Sequence, residues 1–306
     1  MALNGNASGL EDPERTGSEL VALLEELGAP AEAVVTGSEE ELWSVLRSAA
    51  ALRRRVALVG GDGTVHAAAN APLRRLPELA VVPTGRANNV ARALGIPTSR
   101  RDALAVAAEG PAQPIDALRV ATPDRFVYAV EAVSGGFQAA ARAYYSADNS
   151  ADLRQGLRAL VRALRRYSPF RARVELDDAP LGSSGAAQLF LSNLPYFGFG
   201  FEVDPGADPS DGRLEAILIE AGSRRRLVRL LAAARRGRHI GRRGVRRVSA
   251  TRARLTEPLP LVADAVPLGV TTATVSVESA RLRVASLSRK RSARPSARGS
   301  RPGATA

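Results

Sequence analysis

Val56-Ala57-Leu58-Val59 runs directly into Gly60-Gly61-Asp62-Gly63-Thr64 and on into Val65-His66-Ala67-Ala68-Ala69-Asn70. Four consecutive apolar residues bounded by glycines predict a buried parallel strand, and the alanine-rich continuation predicts a helix. Glycine at such a junction admits positive φ and lets a bulky anion approach the amides with no Cβ in the way. The first turn of the helix adds unpaired N–H groups and the positive end of its dipole. Strand, turn and helix together make a phosphate cradle. Asp62 sits inside it and would repel a phosphate unless a divalent cation or a hydroxyl proton stood between them, which favours phosphoryl transfer over nucleotide storage. The competing reading is a turn that only packs tightly, with Asp62 capping its own helix.

Upstream of the cradle, Ala2-Leu3 is a very short apolar start before a small polar loop, Asn4 to Gly9. Thr16-Gly17-Ser18-Glu19 predicts a capping box ahead of Leu20, Leu23, Leu24 and Leu27 at helical spacing. Ala31 to Thr36 reads as a second strand. Ser38-Glu39-Glu40-Glu41 is a second box, followed by the stripe Leu42, Val45, Leu46, Ala49 and Leu52. Downstream, Leu79 to Val82 predicts a strand feeding the loop Pro83 to Arg92, and residues 101–109 a short helix. Strands alternating with helices predict an α/β fold with a doubly wound parallel sheet and ligands at the carboxyl ends of its strands.

From Pro114 the period changes. Short alternating or apolar runs at 115–121, 126–133, 170–177, 187–193, 214–220, 247–255, 259–263, 270–278 and 281–285 predict a C-terminal antiparallel β-sandwich. Helices near 138–145, 151–167 and 223–236 interrupt it; the second carries leucines on one side and arginines around the other, a packed helix with a solvated face or a surface for anionic lipid. The expected organisation is an α/β unit at 1–116, a sandwich unit at 117–286, and a basic tail at 287–306 too poor in large apolar residues to fold.

With 306 residues, 45% hydrophobic and 24% charged, the chain is long enough for two cores and has the composition of a soluble globular protein. It lacks cysteine, which excludes disulfides, thiolate metal sites and cysteine nucleophiles. His66 and His239 are its only histidines, so a multi-histidine metal site is excluded and neither lies near a nucleophile elbow. Without an apolar run near the ~20 residues of a membrane span, or a basic-then-apolar leader, a cytoplasmic location is expected. A formal charge of +12 would attract nucleotides, nucleic acid or an anionic membrane surface, although arginine-rich composition accounts for part of it. The arginine-rich segment 224–247 has no interleaved aromatics to stack bases, so nucleic acid is not favoured as a partner.

Three loops taken together resemble the diacylglycerol kinase catalytic-domain family, bacterial lipid kinases related to sphingosine and ceramide kinases. Gly60 to Thr64 matches that family's GGDGT. Asn4 to Gly9 resembles its Asn-Pro-x-x-Gly loop, with Gly5 in place of proline, and Pro83 to Arg92 resembles its P-x-GT-x-ND-x-AR loop. Ser192-Asn193, the glycine-aromatic run to Gly200, and Asp208 to Leu214 resemble a second-domain segment ending in DG-x-L. GGDG alone also suits NAD kinases and phosphofructokinases; the later loops favour lipid kinases, on an NAD kinase/diacylglycerol kinase-like fold.

The resemblance implies transfer of the γ-phosphoryl group of ATP to a lipid hydroxyl, with Mg2+ as cofactor, on a protein at the membrane periphery. By position it assigns the nucleotide to Asn4, Ser8, Gly9, Thr36, Gly60, Gly61, Asp62, Gly63, Thr64, Val65, His66, Gly85, Arg86 and Asn88. Asp62 would act at the phosphates through magnesium or water, supported by Asp116. Asp211 would hold a magnesium ion with backbone oxygens from Asp208 and Arg213, and Asp116 joins that group; a simple turn is the alternative. A homodimer is left open.

Two departures bear on activity. The family's GT is Gly85-Arg86 here and its ND is Asn88-Asn89, so a hydroxyl and a carboxylate are missing, while the Arg86 guanidinium offers a charge-assisted phosphate contact. The family's DGE turn, whose glutamate takes the acceptor's proton, is Asp264-Ala265-Val266. Val266 accepts no proton, and losing a general base typically costs ~10²–10⁴ in rate. Asp264 is the nearest carboxylate to take that role, two positions earlier, about 6–7 Å along a strand but on the same face. The other readings are a non-catalytic nucleotide- or lipid-binding protein and an NAD kinase-like enzyme.

Overall fold

The computed structural model describes residues 1–7, 11–142, 158 and 161–287. In the first part of the chain, β1 (Ala2–Asn4), α1 (Pro13–Glu26), β2 (Val34–Thr36), α2 (Glu39–Ala51), β3 (Val56–Gly60), α3 (Asp62–Ala69), β4 (Leu79–Pro83), α4 (Asn89–Ala93) and α5 (Arg100–Glu109) alternate. The strands pair in parallel in the order β2-β1-β3-β4. Every residue of β3 and β4 is buried, as continuous apolar runs in a covered parallel sheet require.

Helix starts follow local chemistry. Ser38 accepts from the Glu41 N–H at 3.2 Å, and Glu41 Oε2 reaches back to the Gly37 N–H at 2.6 Å. The expected box at Thr16 does not form. α1 starts earlier, where Asp12 Oδ1 accepts from the Arg15 N–H at 3.0 Å and Pro13 takes the first helical position, leaving Thr16 buried within the helix. Asp-Pro is the stronger start signal because proline presets φ and lacks an N–H that would otherwise go unpaired.

The rest is antiparallel: β5 (Ala112–Ala121), β6 (Phe126–Ala129), β7 (Ala132–Gly136), α6 (Phe137–Arg142), β8 (Phe170–Leu176), β9 (Ala179–Ser192), β10 (Tyr196–Phe197), β11 (Phe201–Glu202), β12 (Leu214–Glu220), α7 (Arg224–Ala234), β13 (Val245–Ala250), β14 (Arg252–Ala263) and β15 (Val266–Ala285). The expected single strand 247–255 is split: β13 ends at Ala250, and Asp177 holds Thr251 through its N–H and hydroxyl, so β14 starts at Arg252 and runs on to Ala263. The expected pair 270–278 and 281–285 is one strand, β15, whose register against β5 shifts between Glu278 and Leu282 where Ala280 has φ +53°. On α7, Leu227 and Leu230 are buried while Arg224, Arg225 and Arg229 are exposed, a solvated basic face. Most of the expected helix 151–167 and the tail from residue 288 lie outside the described residues.

β15 joins the two parts. It pairs antiparallel with β14 and β5, and Val284 pairs in parallel with Leu79 of β4. Leu282, Val284 and Ala285 are buried in the same apolar cluster as Leu3, Leu46, Leu58 and Leu104. A second cluster, around Leu118, Leu189, Leu191 and Leu214, fills the sandwich.

Candidate functional site

β3 delivers the glycine turn and β4 delivers the second loop to the same place, because their carboxyl ends are neighbours: Gly60 pairs with Pro83. The two loops then touch backbone to backbone. A Cβ on Gly85 would lie 2.7 Å from the Gly61 Cα, and one on Gly60 would lie 2.2 Å from Thr64 Oγ1. None of the cradle glycines has the expected positive φ. What selects glycine at 60, 61 and 85 is close approach, with left-handed φ carried instead by Asn88 at +47°. Asn88 folds the second loop on itself, accepting from the Gly85 N–H at 3.0 Å and donating to the Gly85 carbonyl at 2.7 Å. Gly85→Ala is expected to destabilise the protein by about 1–3 kcal/mol through this backbone clash. Urea denaturation followed by circular dichroism checks it, with Gly63→Ala, whose Cβ meets nothing within 4 Å, as the matched control.

Asp62 is the first residue of α3 and does not cap it; Gly61 occupies that position. Asp62 Oδ1 instead accepts from the Val90 N–H at 3.0 Å, capping the start of α4 from the neighbouring loop. Burial raises its pKa above the ordinary value, opposed by the Val90 and Asn89 N–H groups and assisted by the negative charge of Asp264.

Beneath the turn lies a buried polar cluster. Asp264 occupies the β14–β15 turn at φ +50° with its side chain 5% exposed. Its Oδ1 accepts from the N–H groups of Glu131 at 2.8 Å and Ala132 at 3.1 Å, and its Oδ2 from Val130 N–H at 2.8 Å and His66 Nδ1 at 2.8 Å. Four donors fill the lone-pair directions a carboxylate offers. The strand geometry that would carry Asp264 towards the base position does not exist, since the residue stands in a tight turn, not on a strand. Burial opposes charge on His66, but the hydrogen bond and charge of Asp264 outweigh it and raise the imidazole pKa above 6.5.

α3 is held to the second part of the chain at its far end as well. Asn70 donates to the Tyr128 carbonyl at 2.9 Å and accepts from the Tyr128 N–H at 2.8 Å. The Arg281 guanidinium, from β15, donates to the carbonyls of Ala69 at 2.8 Å, Ala71 at 2.9 Å and Leu73 at 3.0 Å, and stacks 4.4 Å from the centroid of Tyr128.

The remaining expected site residues separate into two groups. Asn4 reaches the cradle, donating to Thr64 Oγ1 at 3.0 Å, and the buried Thr36 donates to the Leu3 carbonyl at 3.1 Å beside it. Val65 is buried, Arg86 is exposed on the second loop, and Ser8 and Gly9 lie outside the described residues. Asp116 does not join Asp62. Its Oδ2 accepts from Gly212 N–H at 2.8 Å and its Oδ1 from Ala280 N–H at 2.8 Å, fastening the 208–212 loop to the irregularity in β15.

In that loop Asp208 accepts from the Ser210 N–H at 3.1 Å, Asp211 accepts from the Arg213 N–H at 3.1 Å, and Arg213 donates to Ser249 Oγ at 2.6 Å. Among the described residues no three His, Asp or Glu side chains converge as a metal centre. The carboxylates of Asp208 and Asp211 each accept from a backbone N–H of their own turn.

Glu131, Asn70 and Arg281 belong to the site and no motif singles them out, while Asn89 enters it from the second-loop motif. Glu131 did leave a trace: it is the one charge in the apolar run Tyr128-Ala129-Val130-Glu131-Ala132-Val133, and an isolated buried acid is rare without a purpose.

Comparison with known proteins agrees with this architecture. Residues 2–120 match the diacylglycerol kinase catalytic domain, and residues 131–286 match the YegS C-terminal NAD kinase beta sandwich-like domain. The chain is 30% identical to the diacylglycerol kinase of Bacillus subtilis over 195 residues, 59% of this chain and 60% of that one. It is 26% identical to the diacylglycerol kinase of Staphylococcus haemolyticus over 76% of this chain and 71% of that one. The match to the first relative thus spans less than two thirds of its length. In fold the chain is similar to the crystal structure of a diacylglycerol kinase from Bacillus anthracis, with a TM-score of 0.70 at 17% identity over 93% of this chain and 95% of that one. The catalytic-domain match contains the glycine turn and second loop, the sandwich match contains Glu131, Asp264 and Arg281, and the chain belongs to the diacylglycerol kinase catalytic-domain family.

Proposed function

We propose that the protein is an ATP-dependent lipid kinase that transfers the γ-phosphoryl group to a lipid hydroxyl, of diacylglycerol or a related lipid. The observation that carries this reading is the paired loops at the ends of β3 and β4, where bare glycine backbone meets Asp62 and the start of α4. A doubly wound unit at 1–116 binds the nucleotide and a sandwich unit at 117–286 presents the acceptor. Bound with the nucleotide phosphates, a magnesium ion would supply neutralisation of the charge on the transferring group. The turn's amides and Thr64 receive the phosphates, Arg86 adds a guanidinium at the rim, and Asp62 orients the phosphoryl group from its cap on α4. Positioning and charge stabilisation dominate phosphoryl transfer, so catalysis proceeds without the family glutamate, at a reduced rate. Asp264, filled by four donors, braces the junction and is not the base. The exposed arginines of α7 suit contact with an anionic bilayer.

Purified protein with magnesium, labelled ATP and vesicles containing diacylglycerol, a sphingoid base or a glycerolipid tests the reading. Lipid-dependent transfer above an Asp62→Ala control is expected, and none above that control overturns it. Val266, at the position of the family glutamate, favours one second reading, a nucleotide- and lipid-binding protein without turnover. Calorimetric ATP binding with no transfer identifies that case, and transfer to NAD without lipid identifies an NAD kinase.

A further inference from the structure

Glu131 stands between β6 and β7 and reaches across the junction to the start of α4. Its Oε2 accepts from Asn89 Nδ2 at 2.9 Å and from the Gly198 N–H at 3.3 Å. Both donors are neutral. A neutral glutamine would accept from both of them equally well, so the hydrogen bonds do not explain a carboxylate. Burying a charge without a cationic partner is costly. The residue is 6% exposed, and Asp62 and Asp264 both press negative charge on it. Burial first, then those two charges, raise its pKa well above the ordinary 4.5, against the hydrogen bonds from Asn89 and Gly198.

Asn89 supplies the second observation. It is fully buried, its Nδ2 also donates to the Gly198 carbonyl at 2.8 Å, and its Oδ1 has no donor among the described residues. An open acceptor next to an unpaired carboxylate is the pattern of a site completed by a cation or a proton from outside the chain. Position 89 is also where the second-loop motif carries aspartate and this chain carries asparagine.

We propose that Glu131 is a positioning residue of the phosphoryl-transfer site, supplying from the sandwich side the carboxyl group that the second-loop motif otherwise carries at position 89. It acts through Asn89 on the first turn of α4, whose Val90 N–H holds Asp62, and so sets where the phosphates and their divalent counter-ion rest. The inference rests on the kinase reading above.

The test compares wild type, Glu131→Gln and the exchanged pair Asn89→Asp with Glu131→Gln, by lipid phosphorylation at varied Mg·ATP and by thermal unfolding. A positioning carboxyl group at this buried place predicts opposite directions for activity and stability. Glu131→Gln lowers kcat/KM for Mg·ATP about 10–100-fold, equivalent to ~1.4–2.7 kcal/mol, yet raises the neutral-pH midpoint by about 2–5 °C.

The sign of the stability change follows from linkage. A carboxyl whose folded pKa is raised above 4.5 loses stability as pH rises from 4.5 through the folded value, and glutamine does not. The midpoint difference therefore vanishes below about pH 4.5. His66, Asp62 and Asp264 are the titratable neighbours common to all three proteins.

The exchanged pair restores at least tenfold of the lost kcat/KM, with a lower midpoint because the Gly198 carbonyl loses its donor. Activity of Glu131→Gln within twofold of wild type, or a lowered midpoint, overturns the inference and leaves the kinase reading intact. Absence of transfer in wild type overturns both.

Discussion

Asp264→Ala is expected to destabilise the protein by about 3–5 kcal/mol, the range for breaking a buried ion pair by removing one partner. Truncation strips the acceptor from the N–H groups of Val130, Glu131 and Ala132 at once, and each buried unpaired donor costs about 1–3 kcal/mol before water or relaxation offsets part of it. His66 loses its partner in the same step. Alanine also tolerates φ +50° less well than aspartate, whose side chain bonds locally in that region. Asp264→Asn keeps the backbone conformation and one acceptor oxygen, so its loss is expected to be about half as large. Urea unfolding at neutral pH measures both. An Asp264→Ala midpoint equal to that of wild type removes the brace from the account.

The same pair gives a pH signature. The His66 pKa is raised in the folded protein, so its contribution is fully present below about pH 6.5 and disappears as pH rises through the folded value. His66→Gln flattens stability across that interval and leaves the part attributable to Glu131, which develops from lower pH.

Arg281→Ala is the second large effect, a loss of about 2–4 kcal/mol. The guanidinium donates to the carbonyls of Ala69, Ala71 and Leu73, at and beyond the end of α3, where a cation also meets the negative end of the helix dipole. Charged hydrogen bonds contribute about 1.5–3 kcal/mol each when lost singly and are not additive within one side chain. The stacked face of Tyr128 adds packing that alanine forfeits. Arg281→Lys keeps the charge but has no planar fork, and is expected to recover less than half of the loss. Because α3 carries the glycine turn at its other end, amide exchange from Thr64 to Ala69 is expected to speed up in Arg281→Ala more than exchange in β9. Equal changes in both places would mean that the clamp acts on the whole fold and not on this helix.

Much of this arrangement is readable from local patterns, and what is not readable has a common cause. The β3–α3 junction announces itself because apolar run, glycines and alanine-rich helix are adjacent in the chain, and the four-residue run of β4 does the same. The β12 apolar run and the alternation in β8 likewise mark strands without reference to anything distant. The start of α1 is obscured by two competing local signals, Asp12-Pro13 and Thr16 to Glu19, of which the proline-containing one prevails. Asp264 misled for a different reason: the identity of its hydrogen-bond donors, at residues 66 and 130–132, is a property of the tertiary turn. Glu131, Asn70, Asp116 and Arg281 share that reason, since each acts on a segment more than forty residues away. Residue type alone places such groups in a list of buried polar side chains, not at a site.

The double pairing of β15 has a consequence for the order in which the protein is made. β4 has β3 on one side and β15 on the other, and the contact with β15 is made at Val284. Translation produces the cradle and its flanking strands long before that residue. At about 5–20 residues per second, β4 waits roughly 10–40 s with one hydrogen-bonding edge bare and the cluster around Leu58 lacking Leu282 and Val284. An uncovered, fully apolar parallel strand is a template for wrong pairing. The strand that delivers the second loop to the phosphate cradle thus acquires its last neighbour about two hundred residues of synthesis after it is made.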